Sequence, residues 1–186
     1  MKLPTRSLRL APLAGVALSL LVVLPALVGT ITFGGGTKRI GSDIPAGTYR
    51  TRSAPSGCYW ERLSGFSGEL KDIIANDFSS GYQVVTIKST DKGFNSSSCG
   101  KWSSNLSRVR SSLTKFGQGT LIVKTDIAPG TYRSSRGGSC YWARLSAFTG
   151  VLSAIIANHY GSKGLVTIRS SDKGFQSQGC GSWTKA

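Results

Sequence analysis

The chain has 186 residues, of which 23 are basic and 8 acidic, for a formal net charge of +15, and 39% are hydrophobic. That length suits one ordinary domain or two small ones. Four cysteines and one histidine are too few to give each half a metal centre, and the basic excess directs attention to anionic partners.

Residues 1–9 carry Lys2, Arg6 and Arg9 without an acid, and residues 10–37 carry no charge. Leu10–Val28 is strongly apolar, so residues 1–33 read as a signal peptide or an N-terminal membrane anchor. The run approaches the length of about 20 residues that a membrane span needs. Leu27-Val28-Gly29 is a weak cleavage site, and no cysteine follows for a lipid anchor. Either way the basic start stays inside and the rest lies outside, where disulfides persist. Phe33–Thr37, with its three glycines, reads as a flexible spacer.

The remainder is one module written twice. Asp43-Ile44-Pro45-Ala46-Gly47-Thr48-Tyr49-Arg50 returns as Asp126-Ile127-Ala128-Pro129-Gly130-Thr131-Tyr132-Arg133, and Cys58-Tyr59-Trp60-Glu61-Arg62-Leu63 as Cys140-Tyr141-Trp142-Ala143-Arg144-Leu145. The boundaries predicted are module 1 at 38–104, a linker at 105–120 and module 2 at 121–186. The Pro/Ala exchange before Gly47 and Gly130 leaves two solutions to one bend. Strands are predicted at Tyr49–Arg52, Cys58–Leu63, about Leu70–Ala75, Gln83–Lys88 and Cys99–Trp102, with a helical turn near Gly68–Ile74 as the alternative for the third. Asp91-Lys92-Gly93-Phe94 and Asp172-Lys173-Gly174-Phe175 read as hairpin turns. Closely spaced strands with Gly/Ser turns predict all-β modules, sandwich or small barrel. In the linker, Leu106, Val109, Leu113 and Phe116 have helix-like spacing, against the plainer reading of partly ordered chain.

Modules this small bury only about 60% of their unfolded surface and need a staple. Four cysteines allow three pairings. The repeat favours Cys58 with Cys99 and Cys140 with Cys180, because each module then folds alone.

Catalysis finds little support. The carboxylates common to both modules are Asp43/Asp126 and Asp91/Asp172, all in turns where Asp caps its own backbone. Glu61, Glu69 and Asp72 correspond to Ala143, Val151 and Ala154, and His159 corresponds to Asp77. No histidine triad fits module 1, so the chain reads as non-catalytic, with no cofactor, no metal and no catalytic residue; a glycosidase-like hydrolase using Glu61 in module 1 alone is the remaining enzyme reading. Gly34-Gly35-Gly36 lacks the context of a phosphate loop. Nucleic acid is disfavoured by export, despite the charge.

Along the Cys-Tyr-Trp strand, Cys58, Trp60 and Arg62 share one face and Tyr59, Glu61 and Leu63 the other. Trp60 and Trp142 read either as core rings beside a cystine or, with Arg62 and Arg144, as an exposed platform for sugars or anionic polymer. Tyr59 and Tyr141 line whichever face remains. These six residues are the candidate binding set.

The run Asp-Ile-x-x-Gly-Thr-Tyr-Arg, Cys-Tyr-Trp-x-Arg-Leu, Ile-Ile-Ala-Asn, Val-Thr-Ile, Ser-Asp-Lys-Gly-Phe and Cys-Gly-x-Trp resembles a module of bacterial exported proteins, secreted or anchored by lipid or a membrane segment, mostly without assigned function. The resemblance covers residues 40–102 and 122–183, departing at Ser89-Thr90-Asp91 and in a loop one residue longer at Phe78–Gln83. It implies an extracytoplasmic location and disulfides within each module, and no catalytic residue. The resulting expectation is an exported binding protein for anionic or glycan polymers of the cell envelope, anchored through residues 10–28 or secreted. A structural or protein-interaction module is the alternative, and the sequence implies no oligomeric state.

Overall fold

Cys58–Leu63 alternates as predicted: Cys58, Trp60 and Arg62 are buried, while Tyr59 and Glu61 are half-buried on the opposite face. In the computed structural model, which describes Met1, residues 29–53 and residues 55–186, this strand is central to a two-sheet sandwich. The apolar run 10–28, read as signal or anchor, lies outside the described residues. Among those residues, no helix is long and apolar enough to cross a membrane.

Module 1 has eight strands: β1 (Thr32–Phe33), β2 (Lys38–Arg39), β3 (Gly47–Thr51), β4 (Cys58–Leu63), β5 (Ile73–Ser79), β6 (Val84–Ile87), β7 (Gly93–Ser97) and β8 (Trp102–Ser103). They form two four-stranded antiparallel sheets, ordered β1-β8-β3-β6 and β2-β7-β4-β5. Module 2 repeats this with β9 (Lys115–Phe116), β10 (Gly119–Ile122), β11 (Gly130–Ser134), β12 (Cys140–Leu145), β13 (Ile155–Gly161), β14 (Leu165–Ile168), β15 (Gly174–Gln178) and β16 (Trp183–Lys185). Its sheets are β14-β11-β16-β9 and β10-β15-β12-β13. The architecture is therefore all-β and tandem, as expected.

Each sandwich encloses its own core. In module 1, Tyr49, Trp60, Val85, Ile87, Phe94 and Trp102 pack with Cys58 and Cys99; in module 2, Phe116, Leu121, Tyr132, Val166, Phe175 and Trp183 pack with Cys140 and Cys180. The disulfides are Cys58–Cys99 and Cys140–Cys180. Loops of 41 and 40 residues closed this way contribute about 4 kcal/mol each on the chain-entropy view. The bend before β3 and β11 also has a physical basis. Tyr49 donates its hydroxyl to the Pro45 carbonyl and Tyr132 to the Ala128 carbonyl, each at 2.7 Å. The acceptor is backbone, so exchanging Pro and Ala leaves the lock intact.

Several local expectations change. Phe33 belongs to a strand, not a spacer: β1 pairs with β8, and the Phe33 ring lies 5.0 Å from Tyr49. Module 1 thus begins before residue 38. Asp91–Phe94 is no hairpin, because β6 pairs with β3 while β7 pairs with β4, so the chain crosses between sheets there. The buried Asp91 carboxylate fixes that crossing by accepting from the Lys88 N–H at 2.8 Å and from Arg62. The third predicted strand begins with one 3-10 turn, Leu70–Asp72, and then runs Ile73–Ser79. The last strand is Trp102–Ser103, meeting the predicted Cys99–Trp102 span only at its final residue. The linker forms no helix. Leu106 and Ser107 present carbonyls to Arg50, and Lys115–Phe116 is already a strand of module 2.

Candidate functional site

In each module the Trp of the central strand lies between β5 and β6, or β13 and β14, the two strands that end the two sheets. What covers that side differs between the modules, and the difference defines the site.

Over module 1 the cover is module 2. The loop after β12 crosses the β5–β6 side, and Thr86 N–H donates to the Phe148 carbonyl at 2.8 Å. Gly150 lies on Trp60, where an added Cβ would come within 2.6 Å of the indole. Arg62 clamps Asp91 through Nε and Nη2, at 2.7 and 2.8 Å, and uses Nη1 to reach the Thr149 carbonyl at 2.6 Å. Arg50 pairs with Asp126. Gln176 donates to Asp77 at 3.2 Å, and Thr120 N–H donates to the Tyr82 carbonyl at 2.6 Å. A cavity of only about 70 Å³ remains in the joint.

This placement removes two of the six candidate binding residues. Trp60 is 4% exposed and stacks on Phe94, with ring centroids 6.3 Å apart; Arg62 is 1% exposed. Neither can form a surface platform, because the joint consumes both. Tyr59 is half-buried and donates to Glu61 at 2.6 Å, while Asn95 donates to the other Glu61 oxygen at 3.0 Å. Burial and the Glu61 carboxylate push the Tyr59 hydroxyl above its ordinary value.

The same side of module 2 is open. Trp142 is half-buried, its ring 6.2 Å from that of exposed His159. The two line a cleft of about 220 Å³ with Ser162, Lys163, Gly164 and Leu165. Leu165 is 56% exposed where its counterpart Val84 is 3% exposed. Arg144 clamps Asp172 at 2.7 and 2.8 Å, but its Nη1 bonds to no protein atom among the described residues. Burial pushes the Asp172 carboxyl up, yet the bonds from Arg144 and the Arg169 N–H outweigh this and hold it below its ordinary value. Tyr141 is half-buried, and burial pushes its hydroxyl up.

Beside the cleft, the outer face of β14-β11-β16-β9 carries a row set by register: Leu165, Arg133, Thr184 and Lys115, each exposed. Arg133 is the counterpart of the buried Arg50. The sequence reading missed Arg133, Lys163 and His159 as a group. In the sequence, Glu61, Glu69, Asp72 and Asp77 are replaced by Ala143, Val151, Ala154 and His159. Those replacements mark the joint, since Val151, Ala154 and Asp77 line its cavity, and they were the available signal.

Among the described residues, no cluster of His, Cys, Asp or Glu could hold a metal ion. The arrangement offers cations, hydroxyls and an aromatic rim on an open face, a set suited to non-covalent recognition of anions. No curated protein and no solved structure matches the chain. One family model does, the Rv1352-like extracellular domain, over residues 30–103 and again over 114–184. Those limits include β1 and β9, in agreement with the strands, and the extracellular description agrees with the two disulfides and the tandem export reading. With a match over each module, the chain belongs to the family of Rv1352-like extracellular domains and carries two of them in tandem.

Proposed function

We propose that the protein is a non-catalytic binding protein of the cell envelope that acts through the exposed side of module 2 and takes an anionic partner, foremost an acidic or glycan envelope polymer. The observation that carries this reading is the contrast between Arg50, fully buried and paired, and Arg133, exposed with neighbours Lys115 and Thr184 on an open sheet. Residues 124–186 hold eight basic and two acidic groups, so the field over this end is positive. Such a field concentrates anionic chains and gives salt-sensitive binding. Arg133, Lys163 and Trp142 are then the residues that contact the polymer. In module 1 the Glu61 carboxylate is engaged by Tyr59 and Asn95, an arrangement that favours a structural part over an acid/base one.

Retention of the oxidised protein on insoluble cell wall or immobilised acidic polysaccharide tests this. The wild type is retained at low salt and released as salt rises, and Arg133→Ala with Lys163→Ala lowers retention several-fold without unfolding. Wild-type protein that passes through every such matrix at low salt contradicts the reading. A second reading, interaction with a protein, is favoured by one observation: in module 1 the corresponding surface is occupied by protein, namely module 2.

A further inference from the structure

The joint inside the chain is a docked complex of two like modules, and both halves of it recur, unused, at the two ends of the molecule. On the receiving side, Arg50, Arg62 and Thr86 correspond to Arg133, Arg144 and Thr167. Arg133 and Thr167 are exposed, and Arg144 has Nη1 without a protein partner among the described residues. On the inserting side, Asp126, Phe148, Thr149 and Gly150 correspond to Asp43, Phe66, Ser67 and Gly68, all exposed. Phe66 and Phe148 are held alike, each ring lying against a glycine, Gly93 or Gly174. Gly68 has φ +79° against +73° for Gly150, and open space where Gly150 meets Trp60. Asp43 accepts from the Arg39 N–H at 2.7 Å, as Asp126 accepts from the Ile122 N–H at 2.9 Å.

We propose that a second copy of this chain is an occupant of the open side of module 2: its module 1 seats there head to tail, as module 2 seats on module 1 within the chain. This rests on reading the exposed side of module 2 as the binding surface, and names one partner for it. The contacts then follow the internal joint. Arg133 pairs with Asp43 of the second copy, Arg144 Nη1 donates to its Ser67 carbonyl, Thr167 N–H donates to its Phe66 carbonyl, and its Gly68 covers Trp142.

Charge supports the match. In the internal joint the receiving side holds Asp77, and the inserting side has Ala143, Val151 and Ala154. At the free ends the cation Lys163 stands on the receiving side and the acids Glu61, Glu69 and Asp72 on the inserting side, the same sense as the internal pair of Arg50 with Asp126. Complementary signs steer and align such a contact. The contact of Tyr82 with Gly119 has no counterpart, because the loop at 161–164 is one residue shorter. The contact is heterologous, so it continues from copy to copy as an open array unless the rotation closes a ring.

Cysteine trapping tests this in the full chain, exported by a living host. Thr86 N and the Phe148 carbonyl are 2.8 Å apart, so the proposed contact makes Thr167 and Phe66 backbone neighbours, and cysteines at these positions are joined by a short bifunctional thiol reagent. Chains carrying Thr167→Cys are co-expressed with chains carrying Phe66→Cys, or with Lys101→Cys at the disulfide end of module 1 as the control. The expected result is at least about ten-fold more covalent dimer with Phe66→Cys than with the control, lowered several-fold by Arg133→Glu and by Asp43→Asn, which keeps the acceptor for the Arg39 N–H. Dimer no more abundant than in the control overturns the inference, as does trapping unchanged by Arg133→Glu. Retention of the same protein on acidic polymer is measured in parallel. If retention persists while trapping fails, the self-association is wrong and the binding surface stands; if both fail, both are wrong.

Discussion

Arg50 of module 1 and Asp126 of module 2 form an ion pair, Nη2 to Oδ2 2.9 Å, with both side chains at 0% exposure. A second bond joins Nη1 to Oδ1 at 3.2 Å, and the linker adds the Leu106 and Ser107 carbonyls. Asp126 also accepts from the backbone of Ile122 and Val109. A charge pair buried across two modules ties their relative placement to the fold: separating them would hydrate both charges but forfeit the pair and the carbonyl bonds beside it.

Removing one partner is therefore costly. Asp126→Ala is expected to lower stability by about 3–5 kcal/mol, because it strands the Arg50 guanidinium. Asp43→Ala, at the same place in module 1, removes only an exposed turn acceptor for the Arg39 N–H and is expected to cost clearly less. Urea denaturation of the two variants measures the difference, and equal losses would mean that the joint is not held by this pair.

A pair of glycine substitutions reads the joint from the other side. Gly150 and Gly68 have φ of +73° and +79°, so Ala at either carries backbone strain of about 1 kcal/mol. Only Gly150 is pressed on Trp60. Gly150→Ala is expected to cost about 1–3 kcal/mol more than Gly68→Ala and to alter Trp60 fluorescence, the overpacking penalty of a filled contact.

The sequence made β3 to β6, the cystines and the alternation of Cys58, Trp60 and Arg62 legible; β1, read as a spacer, and β7, read as the end of a turn, were not. The crossing at Asp91 was not legible. Its turn chemistry matches that of a hairpin, and only the long-range bond from Arg62 distinguishes the two. The burial of Trp60 against the openness of Trp142 was also hidden, because both sit in the same Cys-Tyr-Trp motif. Their environments are set by Gly150 and the Thr149 carbonyl, about 90 positions further on, and a backbone carbonyl leaves no mark in sequence. The exchange of Asp77 for His159 was visible, but it gained meaning only once Asp77 was found at the joint.

Asp77 gives the joint a pH dependence. Burial pushes its carboxyl above the ordinary value, and the bonds from Ser79 and Gln176 do not cancel that effect. With the folded value above the unfolded one, the folded state holds more protons between them. Its contribution to stability is thus present below the ordinary carboxylate value near 4 and is lost as pH rises through the folded value. Asp77→Asn keeps an acceptor for Ser79 and Gln176 and removes the charge. It is expected to raise stability at pH 7 and to flatten the decline above pH 4, read from melting temperatures across pH; a steeper decline would reverse the sign.

Hydrogen exchange on the full-length protein, with and without an acidic polysaccharide at low salt, tests the exposed side of module 2 as the binding surface most directly. The polymer is expected to slow exchange at 131–135 and 162–169, around Arg133, Lys163 and Leu165, while Thr86, already bonded to the Phe148 carbonyl, is protected in both samples. Protection appearing on module 1 alone, or nowhere, would contradict it.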